Sequence, residues 1–158
     1  MRTLLPEPQR RSAAYHEAGH VIARIKFKVP FEYVTIKPDL YGEYNGCVYS
    51  KPMTINSNYA AIIINLAGAF AERRGCSCSP CWLAEHAEAD YLATDKIIRG
   101  DCHVGNKAAW NAMEENTRAF INNNWHLIDV LAGALLKLDS ITYDDVIKIL
   151  KVQCPGWV

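Results

Sequence analysis

The chain carries no net charge, because 17 lysines and arginines are offset by 17 aspartates and glutamates over 158 residues. That balance removes the general attraction on which nonspecific nucleic-acid binding depends, so no nucleic acid is expected and a partner has to be recognised at a local site. Long apolar runs are also lacking. The longest, residues 59–71, spans 13 residues and is interrupted by Asn65, against the roughly 20 that a bilayer span requires. No membrane insertion is expected. Residues 1–12 hold Arg2, Arg10, Arg11 and two prolines but no apolar h-region, which makes cytoplasmic residence the expectation. Internal repeats, low-complexity tracts and charge blocks are absent, and so is the G-x-x-x-x-G-K-[ST] loop that cradles nucleotide phosphates.

Half of the residues are apolar, enough at this length to build one core without disulfides. The organisation expected is a short tail over residues 1–11 and a single domain over 12–158. Ser12 is placed to cap a helix whose apolar stripe is Ala14, Ala18, Val21, Ile22 and Ile25, stopped by Pro30. The alternation at residues 32–37 predicts a strand, and residues 46–50 a second. Residues 57–74 are apolar nearly all round, as in a central buried helix, with Gly75 placed to end it. A further helix runs to Arg99 and Gly100. From Lys107 to Leu138 apolar residues recur every three or four positions, predicting one long or kinked helix with a break at residues 122–124. Thr142, with Asp145 three residues on, opens a last helix that Pro155 and Gly156 terminate. Three of the four tryptophans sit in expected helices, where core packing is the commoner use, and none is assigned a function.

The first helix contains His16-Glu17-Ala18-Gly19-His20, the His-Glu-x-x-His pattern. At about 100° per residue the two histidines lie roughly 40° apart and one turn along the axis, so both imidazoles can reach one ion from one face. Glu17 then stands beside the ion without having to bind it, placed to take a proton from a water that zinc acidifies. This is the chemistry of peptide hydrolysis. The bland alternative is a helix that carries two surface histidines and a glutamate by accident.

The hexapeptide from Tyr15 to His20 resembles the motif of the protease domain of FtsH-type ATP-dependent zinc metalloproteases. Val34-Thr35-Ile36-Lys37-Pro38 is similar to that family's Val-Thr-Ile-x-Pro strand, and residues 66–72 to its Leu-Gly-Gly-Arg-x-Ala-Glu segment, with Ala67 and Phe70 as departures. Residues 124–146 resemble its closing helices. The resemblance covers about residues 12–150 and implies a mainly helical α+β fold, a zinc-binding helix bundle with a small β-hairpin or sheet. It also implies a third ligand, an aspartate followed by a small residue at +4 and an arginine at +9. Asp90, with Thr94 and Arg99 at those offsets, fits best, although the Ala-Thr pair stands one position early. Glu85, His86, Glu88 and Asp95 are the alternatives.

The implied activity is a zinc metallopeptidase with His16, His20 and Asp90 as ligands and Glu17 as general base. Having no ATPase module of its own, it would cut unfolded or flexible polypeptides, or substrates delivered by a separate ATPase or adaptor. The family forms rings, which leaves a homo-oligomer open. The rival reading is a catalytically idle zinc-binding module that presents an interaction surface. Cys76, Cys78 and Cys81, with Cys102 or His103 as a fourth ligand, are candidates for a second, structural zinc site, reduced loop cysteines being the other reading. The strand at 32–37 is also a candidate edge for pairing with an extended substrate, against plain sheet structure.

Overall fold

The computed structural model describes residues 7–38, 46–76, 80–100 and 106–157, with only the backbone of residues 80–86. Among these, six helices and three short strands follow in the order α1 (Glu7–Lys26), β1 (Tyr33–Thr35), β2 (Cys47–Tyr49), α2 (Asn58–Gly75), α3 (Pro80–Arg99), α4 (Lys107–Asn123), α5 (Trp125–Leu138), β3 (Ser140–Thr142) and α6 (Tyr143–Gln153). The fold is mainly helical with a small antiparallel sheet, the α+β class expected. No helix among the described residues is long and apolar enough to cross a membrane.

Helix α1 begins at Glu7, five residues before the expected cap, so the expected tail is helical from that point. The reason is tertiary. Arg10 donates to the carbonyl of Leu136 and to Asp139 Oδ1, each at 2.5 Å, which fastens the first turns of α1 to the end of α5. Ser12 is therefore fully buried inside the helix rather than at its end. The cap at Thr142 falls where the sequence places it, its Oγ1 accepting from the amide of Asp145, and Ser57 Oγ accepts from the amide of Ala60 at the start of α2. The break in the 107–138 stretch lies at Asn124, which closes α4 and opens α5.

Helices α1, α2 and α5 enclose the core, lined by Val21, Ile22, Ile63, Leu66, Leu127, Ile128, Leu131 and Leu135, all fully buried. Tyr15 ties α1 to α5 by stacking on Trp125 at 5.4 Å and donating to Asp129 Oδ1 at 2.5 Å. Burial and that carboxylate push its phenol up to about 12. The sheet order is β2-β1-β3, with Val34 opposite Val48 on one side and Ile141 on the other. Strand β3 was not expected. It arises because Asp139, in a left-handed conformation at φ 62°, ends α5 and turns the chain back along β1. Of the two readings of residues 32–37, plain sheet structure is the one found: β1 is the central strand, paired on both sides, and β2 and β3 are the edges.

Close approach of α1 to α2 sets the geometry of everything that follows. A Cβ on Gly19 would lie 2.4 Å from the carbonyl oxygen of Ala67 and 2.8 Å from Ala71 Cβ. A Cβ on Gly75 would enter the Tyr15 ring at the same 2.4 Å, which accounts for a glycine that the helix runs through, Cys76 forming the cap. Since the obstacle at Gly19 is backbone, Gly19→Ala must push the helices apart. We expect it to lose about 1–3 kcal/mol in urea denaturation despite alanine's better helix propensity.

Candidate metal centre

His16 and His20 project from one face of α1 toward α2, as their one-turn spacing dictates. Their Nε2 atoms lie 3.0 Å apart. Asp90, near the middle of α3, brings Oδ2 to 3.3 Å from both nitrogens. Among the described residues these three form the group whose donor atoms could hold one metal ion. Four donors arranged tetrahedrally at zinc bond lengths of about 2.0–2.1 Å stand about 3.3 Å from one another, so the triangle has the dimensions of one tetrahedral face.

The far nitrogen of each ring is fixed in a way that leaves Nε2 available. His20 Nδ1 lies 2.7 Å from the carbonyl oxygen of Ile64. A carbonyl can only accept, so Nδ1 carries the proton and, in the neutral ring, the Nε2 lone pair points to the centre. His16 Nδ1 lies 3.0 Å from Glu72 Oε2, and the Ser12 hydroxyl donates to Glu72 Oε1. Glu72 is 1 % exposed. A carboxylate holding the outer nitrogen of a ligating histidine is a recurrent support of zinc sites, since it orients the ring and raises its basicity. Glu72 was not singled out in the sequence beyond the family-like segment that ends on it. The available signal is its position, four residues after Gly68 on the helix that faces the histidines.

Three lone pairs converging this closely repel unless positive charge sits among them. In the absence of an ion, a proton on His16 has that effect. Burial lowers the affinity of this imidazole for protons, but hydrogen bonds to Asp90 and Glu72 outweigh it and push the group up to about 10. Burial likewise raises Asp90, but its two histidine partners prevail and hold the carboxyl well below the usual range. The electrostatics favour a cation at the point where the three donors meet. Space is reserved there too, because a Cβ on Gly68 would fall 2.4 Å from His20 Nε2 and 2.8 Å from His16 Nε2. The donor set, its spacing and this cradle fit a zinc ion.

Glu17 is buried at 3 % exposure on the turn that carries the histidines. Its charge is felt at His16 and, outside α1, at the Cys47 thiol on β2, which burial and Glu17 together push up. Edge strand β2 packs against α1, the helix that carries the two histidines and Glu17. The centre reaches solvent through its other two members, the side chains of Asp90 and His20 being 24 % and 13 % exposed against 7 % for His16.

The alternatives to Asp90 separate by position. Asp95 accepts from Arg99 at 2.6 Å and from Trp110 Nε1 at 3.2 Å, away from the histidines. Glu88 is exposed, and the side chains of Glu85 and His86 lie outside the described residues. Thr94, at the +4 offset, is fully buried with no hydrogen-bond partner for its hydroxyl among the described residues. Of the candidate second site, Cys76 forms the cap of α2 and the backbone of Cys81 lies in α3. Cys78, Cys102, His103 and the Cys81 side chain lie outside the described residues. No family model matches the chain, and no curated protein does.

Two outcomes test this centre. Asp90→Ala and Gly68→Ala should each abolish tight one-to-one zinc binding in competition with a chromophoric chelator, the first by removing a donor and the second by filling the cradle, whereas Asp95→Ala should leave affinity unchanged. Glu72→Gln, which keeps the shape but weakens the support of His16, should lower zinc affinity about 10–100-fold.

Proposed function

We propose that the chain is a zinc metallopeptidase, similar to a peptidase domain of the FtsH type, that hydrolyses peptide bonds in unfolded or flexible polypeptides. The observation that carries this reading is the convergence of His16 Nε2, His20 Nε2 and Asp90 Oδ2 on one point with Glu17 buried on the same helical turn. Three protein ligands leave a fourth position open, which distinguishes catalytic zinc sites from closed structural ones. Bound there, zinc would supply the Lewis acidity that lowers the pKa of a water and polarises the scissile carbonyl.

The protein's own residues do the rest. The carboxylate of Glu17 accepts the proton of the attacking water and returns it to the leaving amine. With an ion in place of the extra proton on His16, Glu72 and the Ile64 carbonyl would each accept from a histidine Nδ1 and leave Nε2 unprotonated. Beside Glu17, β2 carries no strand on its outer edge among the described residues. An extended polypeptide can add to that edge by main-chain hydrogen bonds, which recognise backbone rather than sequence and require an unfolded segment. These 158 residues carry no G-x-x-x-x-G-K-[ST] loop, so they supply no nucleotide-driven unfolding of a substrate themselves.

Incubation of the zinc-loaded chain with unfolded casein tests the proposal. The wild type should cleave it, and Glu17→Gln should bind zinc with unchanged affinity while turnover falls about 10²–10⁴-fold, the amide being unable to carry the proton. Zinc binding without cleavage by the wild type would instead identify a binding module that keeps the ligands without the chemistry.

A further inference from the structure

On the far side of α1 from the metal centre, the C-terminal end of that helix and one face of α6 enclose a groove of about 700 Å3. Ile25 and Ile147 contribute apolar surface, and Trp157 closes one side with its ring under the Lys26 ammonium at 5.4 Å. Four lysines line the groove, Lys26, Lys28, Lys148 and Lys151, against Asp144 as the acid among them. In a chain without net charge this is a marked segregation. One of the four is occupied at the surface, Lys148 reaching Asp145 at 3.0 Å. Helix α6 is two-faced. Val146 and Leu150 are fully buried in the core, whereas Tyr143, Ile147 and Lys151, at i, i+4 and i+8, form a stripe that faces the groove.

We propose that this groove binds an acidic polypeptide segment whose carboxylates meet the lysines and whose apolar side chains lie on Ile25, Ile147 and Trp157. Charge complementarity selects an anion, and the apolar floor selects one that carries hydrocarbon as well. A polypeptide suits the shape better than an anionic bilayer, because the apolar groups line a concavity instead of projecting, and Asp144 would oppose a negatively charged plane. The groove is independent of the metal centre. Ile25 is five residues from His20, about 140° around α1 and about 7 Å along it, so occupancy neither requires nor blocks the zinc ligands.

A fluorescein-labelled peptide of alternating glutamate and leucine, followed by anisotropy on the whole chain, tests the site. It should bind more tightly than the lysine-leucine counterpart and weaken between about 50 and about 500 mM salt. The double reversal Lys26→Glu with Lys151→Glu should cost roughly tenfold or more in affinity, whereas Lys96→Glu with Lys107→Glu, on α3 and α4, should have little effect. Should the double reversal unfold the chain by circular dichroism, neutralisation with Lys26→Gln and Lys151→Gln replaces it and should give a smaller loss in the same direction. Equal binding of both peptides, or insensitivity to the groove variants, would overturn the proposal. So would groove-dependent capture by phosphatidylserine vesicles in the absence of peptide binding, which would assign the lysines to a membrane surface.

Discussion

The contact between α1 and α2 is the constraint from which the rest of the site follows. Helices bearing ordinary side chains pack with axes about 8–10 Å apart, and Gly19 removes the side chain that would meet the backbone at Ala67. With that spacing, α2 presents three different things to the two histidines along its length. The Ile64 carbonyl meets His20 Nδ1, the empty side of Gly68 faces both Nε2 atoms, and Glu72 meets His16 Nδ1. These positions are separated by four residues each, one helical turn, so a single face of α2 reads along a single face of α1. A sideways displacement of either helix would disrupt all three contacts together.

Such an arrangement is costly for the folded chain before any ion binds. Glu72 is removed from water almost completely, and burying a carboxylate is favourable only where its oxygens are satisfied, here by Ser12 and His16. Asp90 adds a second carboxylate to the same few ångströms. The two acids and the two imidazoles, with Ser12 and Glu17 buried near them, form a polar cluster against a core built mainly from Ile, Leu, Val and Ala, and nothing in that apolar packing requires it. Without an ion, a proton on His16 has to bridge the two imidazoles across 3.0 Å. A metal cation could take that proton's place among the same three donors, which supports the proposal that the cluster is a binding site.

Periodicity was sufficient for the helices that bury one stripe or all of their surface. The apolar span of α2, the interruption at Asn124 and the capping pair Thr142–Asp145 all follow from local chemistry, and local chemistry is what a sequence displays. The N-terminal extension of α1 was not legible, because it depends on Arg10 reaching Leu136 and Asp139 more than a hundred residues away. Strand β3 is likewise only three residues long, too short to show alternation, and exists through its pairing with β1. With β3 unforeseen, an edge position for β1 could not be told from a central one. Within the site, the His-Glu-x-x-His spacing announces two donors by helix geometry alone. Asp90 could be singled out only through a family likeness, since its position depends on how α3 lies against α2. Glu72 is invisible for the same reason, an acid in an apolar helix having no partner until α1 is packed against it.

The position of Glu17 limits what the site can act upon. It lies in the interior on the same turn as the ligands, and the way to it passes the partly exposed His20 and Asp90 and the neighbouring edge of β2. On the proposed peptidase reading, a peptide bond would have to reach that buried base with its own backbone extended, because an incoming helix or folded surface has its main-chain groups already paired and offers no hydrogen bonds to a strand edge. On that proposal, selection for unfolded chain would follow from the site's depth and not from any particular side chain, and discrimination among unfolded chains would fall to surfaces away from the proposed chemistry. The lysine-lined groove is on the opposite face of α1, so a segment held there would raise the local concentration of the chain it belongs to without occupying the cleft, an advantage governed by the length of chain between the two points.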